Sequence, residues 1–250
     1  MMRYFIEISY NGDNYHGWQK QKNAITIQEI LIESASKILA DNIDIVGAGR
    51  TDTGVHAYKM CAHFDSIKEI NCQDFLFRIN SFLPSDIQVT DIYRVVNEAH
   101  ARFSAIKRTY YYYVSNKRNV FNKNIYVVHK DINIEKMNEA SSYLIGKHDF
   151  TSFAKAHSYT HTNMCDLSSA FWQRKEDDLI FSISANRFLR NMVRSIVGTL
   201  LEIGVGNKNT DYINFVLNQK KRSSAGVSVP ANALFLYDIE YPDNIKHYVK

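Results

Sequence analysis

Strand-like and helical stretches alternate along this chain, and the series begins a second time near residue 108. That double alternation constrains the fold most, because period-two and period-3.6 patterns bury their apolar faces in different ways. Residues 3–10 read as a strand with Tyr4, Ile6 and Ile8 on one side. "TIQEILIESASKILA" follows with Ile27, Ile30, Leu31, Ile38 and Leu39 at helical spacing, and Thr26 and Glu29 predict a capping box at its start. Residues 43–49 predict a short strand, 57–67 another, 72–83 a helix ended by Pro84, and 87–96 a strand. The second series has a strand at 108–116, a helix at 133–146, a hairpin at 168–186, helices at 188–203 and about 210–219, and a strand at 233–241. The expectation is an α+β protein of two domains, 1–100 and 101–250, divided near residues 97–107 with no Pro/Gly/Ser linker.

Thirty Lys and Arg against 26 Asp and Glu leave a net charge of only +4, so an anionic partner would have to be met by clustered charge. The N-terminus lacks the long apolar region of a signal peptide, and no window has the unbroken apolar length of a membrane span. Cys61, Cys72 and Cys165 are odd in number and widely spaced, which suits neither a disulfide framework nor a CxxC metal site. A reduced, cytoplasmic, soluble protein is expected, with no membrane partner.

Within this frame the stretch "GAGRTDTGVHA" (47–57) stands out. Its glycines at 47, 49 and 54 permit positive φ and close approach of the backbone to another surface. The loop matches neither the Walker A pattern nor G-x-G-x-x-G. Two readings stay open on the residues alone: a structural turn, or a nucleophile or base at Asp52 beside Arg50, Thr51 and His56.

Three further stretches carry chemistry. In "KRTYYYYVSNK", strand alternation sends Tyr110 and Tyr112 one way and Tyr111 and Tyr113 the other. One pair suits the core; the other, beside Lys107 and Arg108, suits either sheet packing or stacking on nucleobases. In "NRFLRNMVRSIVGTLL", about 100° per residue brings Arg187, Arg190 and Arg194 to one stripe of a helix. Phe188, Met192, Val193, Ile196 and Leu200 line its apolar face, so an arginine at the border could either be solvated or reach inward to hold a carboxylate ionised. His157, His161 and Cys165 recur every four residues, but the intervening residues make a poor helix and no fourth zinc ligand is evident. No metal is assigned.

Taken in order, these stretches resemble the tRNA pseudouridine synthase A family over most of the chain. "GAGRTDTGVHA" looks like its G-R-T-D-x-G-V-H-A loop, "HARFSAIKRTYYYYV" like its A-R-F-S-A…R-x-Y-x-Y segment, and "FLRNMVRSIVGTL" like its F-L-x-x-M-V-R-x-I-V-G motif. "GKHDFTSFAK" and "SSAGVSVPANALFLYDIEY" also fit. One segment and one position depart: Cys165 and Asp166 stand in a region where members often carry an arginine, and Thr53 where many carry Ala.

The resemblance implies two RRM-like α/β domains sharing a central antiparallel sheet with flanking helices. It implies an isomerase converting uridine to pseudouridine at positions 38, 39 and 40 of the tRNA anticodon stem-loop, without a cofactor, as a homodimer. Asp52 would be the catalytic carboxylate, Arg194 the arginine that orients it, and Tyr110 the residue against the target base. Arg50 would meet the strand or fill the gap left by a flipped base, with His56, Arg78, Arg102, Arg108 and Arg190 as further substrate contacts; Lys107 and Arg187 extend the basic set. A rival class, a non-catalytic tRNA-binding module or chaperone, would keep the basic and aromatic surface but have no use for Asp52.

Overall fold

The structure, a computed structural model, describes residues 1–156 and 161–246. Helices and strands interleave along it, so the mixed α/β class expected from the alternating periods holds. Two compact units form: one from Met1–Ile106 with the chain from Leu236 onward, the other from Lys107–Phe235.

The first unit begins with β1 (Met2–Tyr10), α1 (Ile27–Leu39), β2 (Val46–Gly47), β3 (His56–Ser66), α2 (Cys72–Phe82) and β4 (Ile87–Val95). β1 pairs antiparallel with β3 on one side and with β4 on the other. Tyr4, Phe5 and Ile6 are consecutive and all buried, so both faces of β1 are covered, not only the one that alternation singled out. Phe5 packs edge-on to Tyr241, with ring centroids 5.2 Å apart. Along α1, Ile27, Leu31 and Ile38 of the expected apolar set are buried and Ala35 joins them, while Ile30 and Leu39 are half-buried. α2 starts at Asn71, whose side chain accepts from the Gln73 and Asp74 amides, and stops before Pro84.

The capping box expected at α1 does not form. Thr26 is the N-cap residue, but its side chain caps nothing and its hydroxyl is buried without a partner. Backbone carbonyls take its place: Ile27 N donates to Gly17 O at 3.3 Å and Gln28 N to Trp18 O at 3.0 Å. Glu29 reaches instead toward Lys20, at 3.7 Å.

The second unit contains β5 (Lys107–Ser115), β6 (Tyr126–Val127), α3 (Ile134–Ser142), β7 (Gly146–Asp149), β8 (Met164–Lys175), β9 (Asp178–Ala185), α4 (Met192–Gly204) and α5 (Tyr212–Gln219). β9 lies between β5 and β8, antiparallel to both; β7 extends β8 and β6 runs parallel to β5. The expected hairpin is β8–β9, turning where Glu176 adopts a φ of 55°. A last strand, β10 (Leu234–Glu240), neighbours β3.

α4 begins four residues later than the helical spacing predicts. Asn191 takes a left-handed φ of 67° inside a Leu189–Met192 turn (3.1 Å), and the chain through residues 187–190 is not helical. Arg187 and Arg190 therefore do not form a helical stripe with Arg194. Among the described residues no helix is long and apolar enough to cross a membrane. The three cysteines are free, and burial pushes the Cys61 thiol up to about 12 and Cys165 to about 11. His157, one of the three residues weighed for zinc, lies outside the described residues; His161 is exposed and Cys165 buried in β8.

Candidate active site

The Asp52 loop joins β2 to β3, and its shape follows from who touches its backbone. Trp18 N donates to Thr51 O at 3.2 Å, and Ala48 N to Cys61 O at 2.8 Å. Thr51 is buried, its hydroxyl 2.8 Å from Tyr10 Oη. Val55 N closes a turn on Asp52 O at 3.1 Å, and that turn needs the positive φ of Gly54, 77°. Asp52 is thereby presented half-buried at the loop's tip. A carboxylate on so short a side chain is aimed by its backbone, and here the backbone is tied on both sides.

The three glycines singled out in the sequence serve unlike purposes. Gly54 supplies the left-handed turn. A methyl on Gly47 would fall 2.5 Å from the Trp18 ring, while one on Gly49 would meet nothing within 4 Å. Two glycines outside the loop matter as much: methyls on Gly12 and Gly17 would fall 2.1 Å from Val55 O and 2.5 Å from Thr51 O. The segment 12–18 thus lies directly against the loop.

Among the residues expected in the site, Arg50 shares this loop with Asp52, and His56 opens β3 at its end. Arg50 is exposed and donates from Nε to Gln19 Oε1 at 3.0 Å. His56 is 1% exposed, and its Nδ1 accepts from Gly12 N at 3.0 Å. Its proton accordingly sits on Nε2, 3.8 Å from Asp13 Oδ1. His56 works inward, bracing the loop. Arg78 sits on α2, with Asp74 at 3.6 Å and the Ile38 carbonyl at 3.4 Å as partners, among helix groups and not loop groups. Arg102 is exposed and lies over the Phe103 ring, 5.4 Å from its centroid.

In the second unit, Tyr110 and Tyr112 point to one side of β5 as alternation requires. Tyr112 is wholly buried and donates to Pro230 O at 2.9 Å; burial raises its pKa, opposed by nearby Arg194. Tyr110 is half-buried and meets Phe188 edge-on, centroids 5.1 Å apart. Arg194, in the first turn of α4, donates from Nε to Val229 O at 2.7 Å. Arg108 is fixed by the Asn186 carbonyl at 2.7 Å, and Arg190 is exposed while its own carbonyl accepts from Lys155 N at 2.9 Å. Tyr110, Tyr112, Phe188 and Arg194 therefore make an aromatic and cationic group on one unit, and Arg50, Asp52 and His56 an acidic loop with its brace on the other.

Sequence reasoning did not find the braces: Tyr10, Gly12, Gly17 and Trp18 for the loop, and Val229 for Arg194. Glycines at 12 and 17 flanking "DNYH" were the available signal for the first.

Comparison with known proteins bears on these residues. A family model described as tRNA pseudouridine synthase matches residues 7–104 and 140–242. A protein of Parabacteroides distasonis named tRNA pseudouridine synthase A is 48% identical over 247 residues, covering 98% of each chain. Its Bacteroides thetaiotaomicron namesake is 46% identical over 249 residues, covering 98% of this chain and 93% of its own. A Thermoanaerobacter sp. protein of the same name is 38% identical over 244 residues, covering 96% of this chain and all of its own. With the family model spanning the Asp52 loop, α4 and the segment beyond it, this chain belongs to the tRNA pseudouridine synthase family.

Proposed function

We propose that this chain isomerises uridine to pseudouridine at positions 38, 39 and 40 of the tRNA anticodon stem-loop, with Asp52 as its catalytic carboxylate. Membership of the family supports the reaction, and one observation carries the assignment to Asp52: the R-T-D loop lies inside the matched region with its backbone tied by Trp18, Cys61 and Gly12 contacts. The family's two RRM-like domains, homodimeric assembly and cytoplasmic location belong to the same proposal.

The reaction breaks the C1′–N1 bond, turns the base and joins C1′ to C5; the C5 proton leaves and N1 gains one. Atoms and oxidation state are conserved, so a carboxylate and a shaped site suffice as reagents. Asp52 acts in ionised form, by attack at C1′ or by taking a sugar proton, and both routes need the carboxylate held beside the ribose. Arg194 pairs with it and keeps it charged once water is excluded. Tyr110 stacks on the uracil, braced by Phe188, with its hydroxyl toward the C5 proton. A stem uridine must first leave the helix, at roughly a few kcal/mol, and Arg50 occupies the gap or holds a phosphate. Arg102, Arg108 and Arg190 extend the contact to the RNA backbone, with Arg78 as a more distant contact and His56 as the loop's brace.

Tritium release from tRNA labelled at uridine C5 tests this reading, with wild type and Asp52→Asn run side by side and tRNA binding measured for both. Release by the wild type alone, with binding retained by both, supports it. Tight binding by both without release would instead favour the non-catalytic module.

A further inference from the structure

Residues 222–230 cross the first turns of α4 as a strap, and two glycines set how closely. A methyl on Gly198 would lie 1.9 Å from the Val227 carbonyl oxygen, and one on Gly226 would lie 2.8 Å from backbone atoms of Gly198 and Thr199. Gly226 N then donates to Thr199 Oγ1 at 2.8 Å. Ser228 is the fastening. Its hydroxyl accepts from Asn191 Nδ2 at 2.6 Å and from Arg222 Nη2 at 2.8 Å, and lies 3.4 Å from Ser195 Oγ. Arg222 ties the strap to itself as well, through Nη1 to the Gly226 carbonyl at 3.1 Å. The next residue, Val229, exchanges two bonds with Arg194: its amide donates to the Arg194 carbonyl at 3.3 Å, and its carbonyl accepts from Arg194 Nε at 2.7 Å.

We infer that Ser228, gripped by Asn191 and Arg222, is a positioning residue for the uridine isomerisation, acting through the Val229 carbonyl on the guanidinium of Arg194. The inference rests on the role given to Arg194 above. A guanidinium meets a carboxylate side-on through Nε and one terminal nitrogen, or end-on through both terminal nitrogens. The Val229 carbonyl occupies Nε and so takes the side-on mode away. It also fixes the rotation of the guanidinium plane, which a flexible arginine stem would leave free. One residue before that carbonyl, the Ser228 hydroxyl gathers three neighbours from both flanks of the helix start. Asn191 contributes twice, ending the non-helical approach with its left-handed backbone and reaching the strap with its amide.

Single-turnover pseudouridine formation on unmodified tRNA, with Kd for the same tRNA, tests the inference. The variants are Ser228→Ala, Ser228→Thr and Asn191→Gly, each made in the wild-type chain and in Arg194→Lys. Asn191→Gly keeps a backbone at ease with positive φ, so it reports even where Ser228→Ala fails to fold. In the wild-type background, Ser228→Ala and Asn191→Gly should slow the reaction roughly 10- to 100-fold with Kd moved less than about twofold. Ser228→Thr, which keeps the hydroxyl, should recover most of the rate. In Arg194→Lys the same changes should have little further effect, because the group they position is gone. Equal losses in both backgrounds would mean a merely structural strap and would overturn the inference. So would a wild-type rate in Ser228→Ala and Asn191→Gly while Arg194→Lys is slow, which leaves the role of Arg194 standing. A wild-type rate in Arg194→Lys itself would remove that role, and the strap's function with it.

Discussion

The Asp52 loop and the start of α4 both carry candidate chemistry, yet they are braced by different means. Around Asp52 the ties are mostly backbone to backbone: Trp18 N to Thr51 O, Ala48 N to Cys61 O, and bare glycines at 12 and 17 against the loop. Around Arg194 they are mostly side chain: Asn191, Arg222 and Ser228 fasten a strap whose carbonyl takes Nε. The difference follows from side-chain length. An aspartate has little freedom beyond its backbone, so fixing the backbone fixes the carboxylate. An arginine in the first turn of a helix has a rigid root and a mobile head, so the head itself must be held.

Glycine replacement strikes both braces and should have the largest effect. Gly12→Ala and Gly198→Ala each drive a methyl into a carbonyl oxygen, at 2.1 Å and 1.9 Å, where no flexible side chain can give way. Each should lose about 3 kcal/mol of stability in urea unfolding. Gly49→Ala, which meets nothing within 4 Å, should change it by less than about 0.5 kcal/mol. Comparable losses at all three sites would mean that close approach is not what these glycines provide.

The first unit uses a histidine in the same inward fashion a second time. His63 in β3 accepts from Ala101 N through Nδ1 at 3.2 Å and lies edge-on to His100 at 4.6 Å. Burial, helped by Arg3 and His100 and opposed by Asp65, holds its pKa down at about 4. The folded chain therefore binds this proton less readily than the unfolded chain, whose histidine titrates near its ordinary value of 6.5. Stability present above that value should be lost as pH falls toward 4, by about 2–3 kcal/mol from this group. The readout is the difference between wild type and His63→Gln, since carboxylates common to both titrate in the same window. Parallel stability curves from pH 7 to 4 would show that His63 contributes nothing to acid sensitivity.

Tyr10→Phe separates the two bracing modes more finely. It deletes the partner of the buried Thr51 hydroxyl and should lower stability by about 1–2 kcal/mol. Because backbone bonds still hold the loop, the isomerisation rate should stay within a few-fold of wild type, roughly the range of a displaced but intact site. A rate loss as deep as that expected for Ser228→Ala would erase the contrast between the loop and the strap.

Much of this architecture was legible from periodicity. β1, α1, β3, α2, β4, β5 and the β8–β9 hairpin lie close to where their apolar spacing places them, although β1 and β9 are buried on both faces rather than along one stripe. β6 and β7 have no sequence signal, since two to four residues give no period to read. Spacing predicts the start of α4 too early because it is blind to the left-handed backbone of Asn191. The candidate site was legible only in part. Composition offered Asp52 as a turn residue or a carboxylate reagent, and family likeness selected the second. Its braces join residues far apart in the chain, such as Gly12 with His56, which no local pattern reports.

The start of α1 gives the smallest prediction and tests the backbone-held region where sequence and structure disagree. A threonine three residues before a glutamate reads as a capping box, which would make Thr26 stabilising. In the fold, the Gly17 and Trp18 carbonyls take the Ile27 and Gln28 amides, so the segment that supports the Asp52 loop also caps the helix. The Thr26 hydroxyl is left buried with no partner, and Glu29 turns to Lys20. Thr26→Val keeps the shape and removes an unsatisfied polar group, so it should raise stability by about 1 kcal/mol, where an ordinary capping threonine would lose a similar amount. Urea unfolding reads the sign directly. A loss would mean that the hydroxyl caps α1 after all, and that segment 17–18 is held less by its carbonyls than by the side chain beside it.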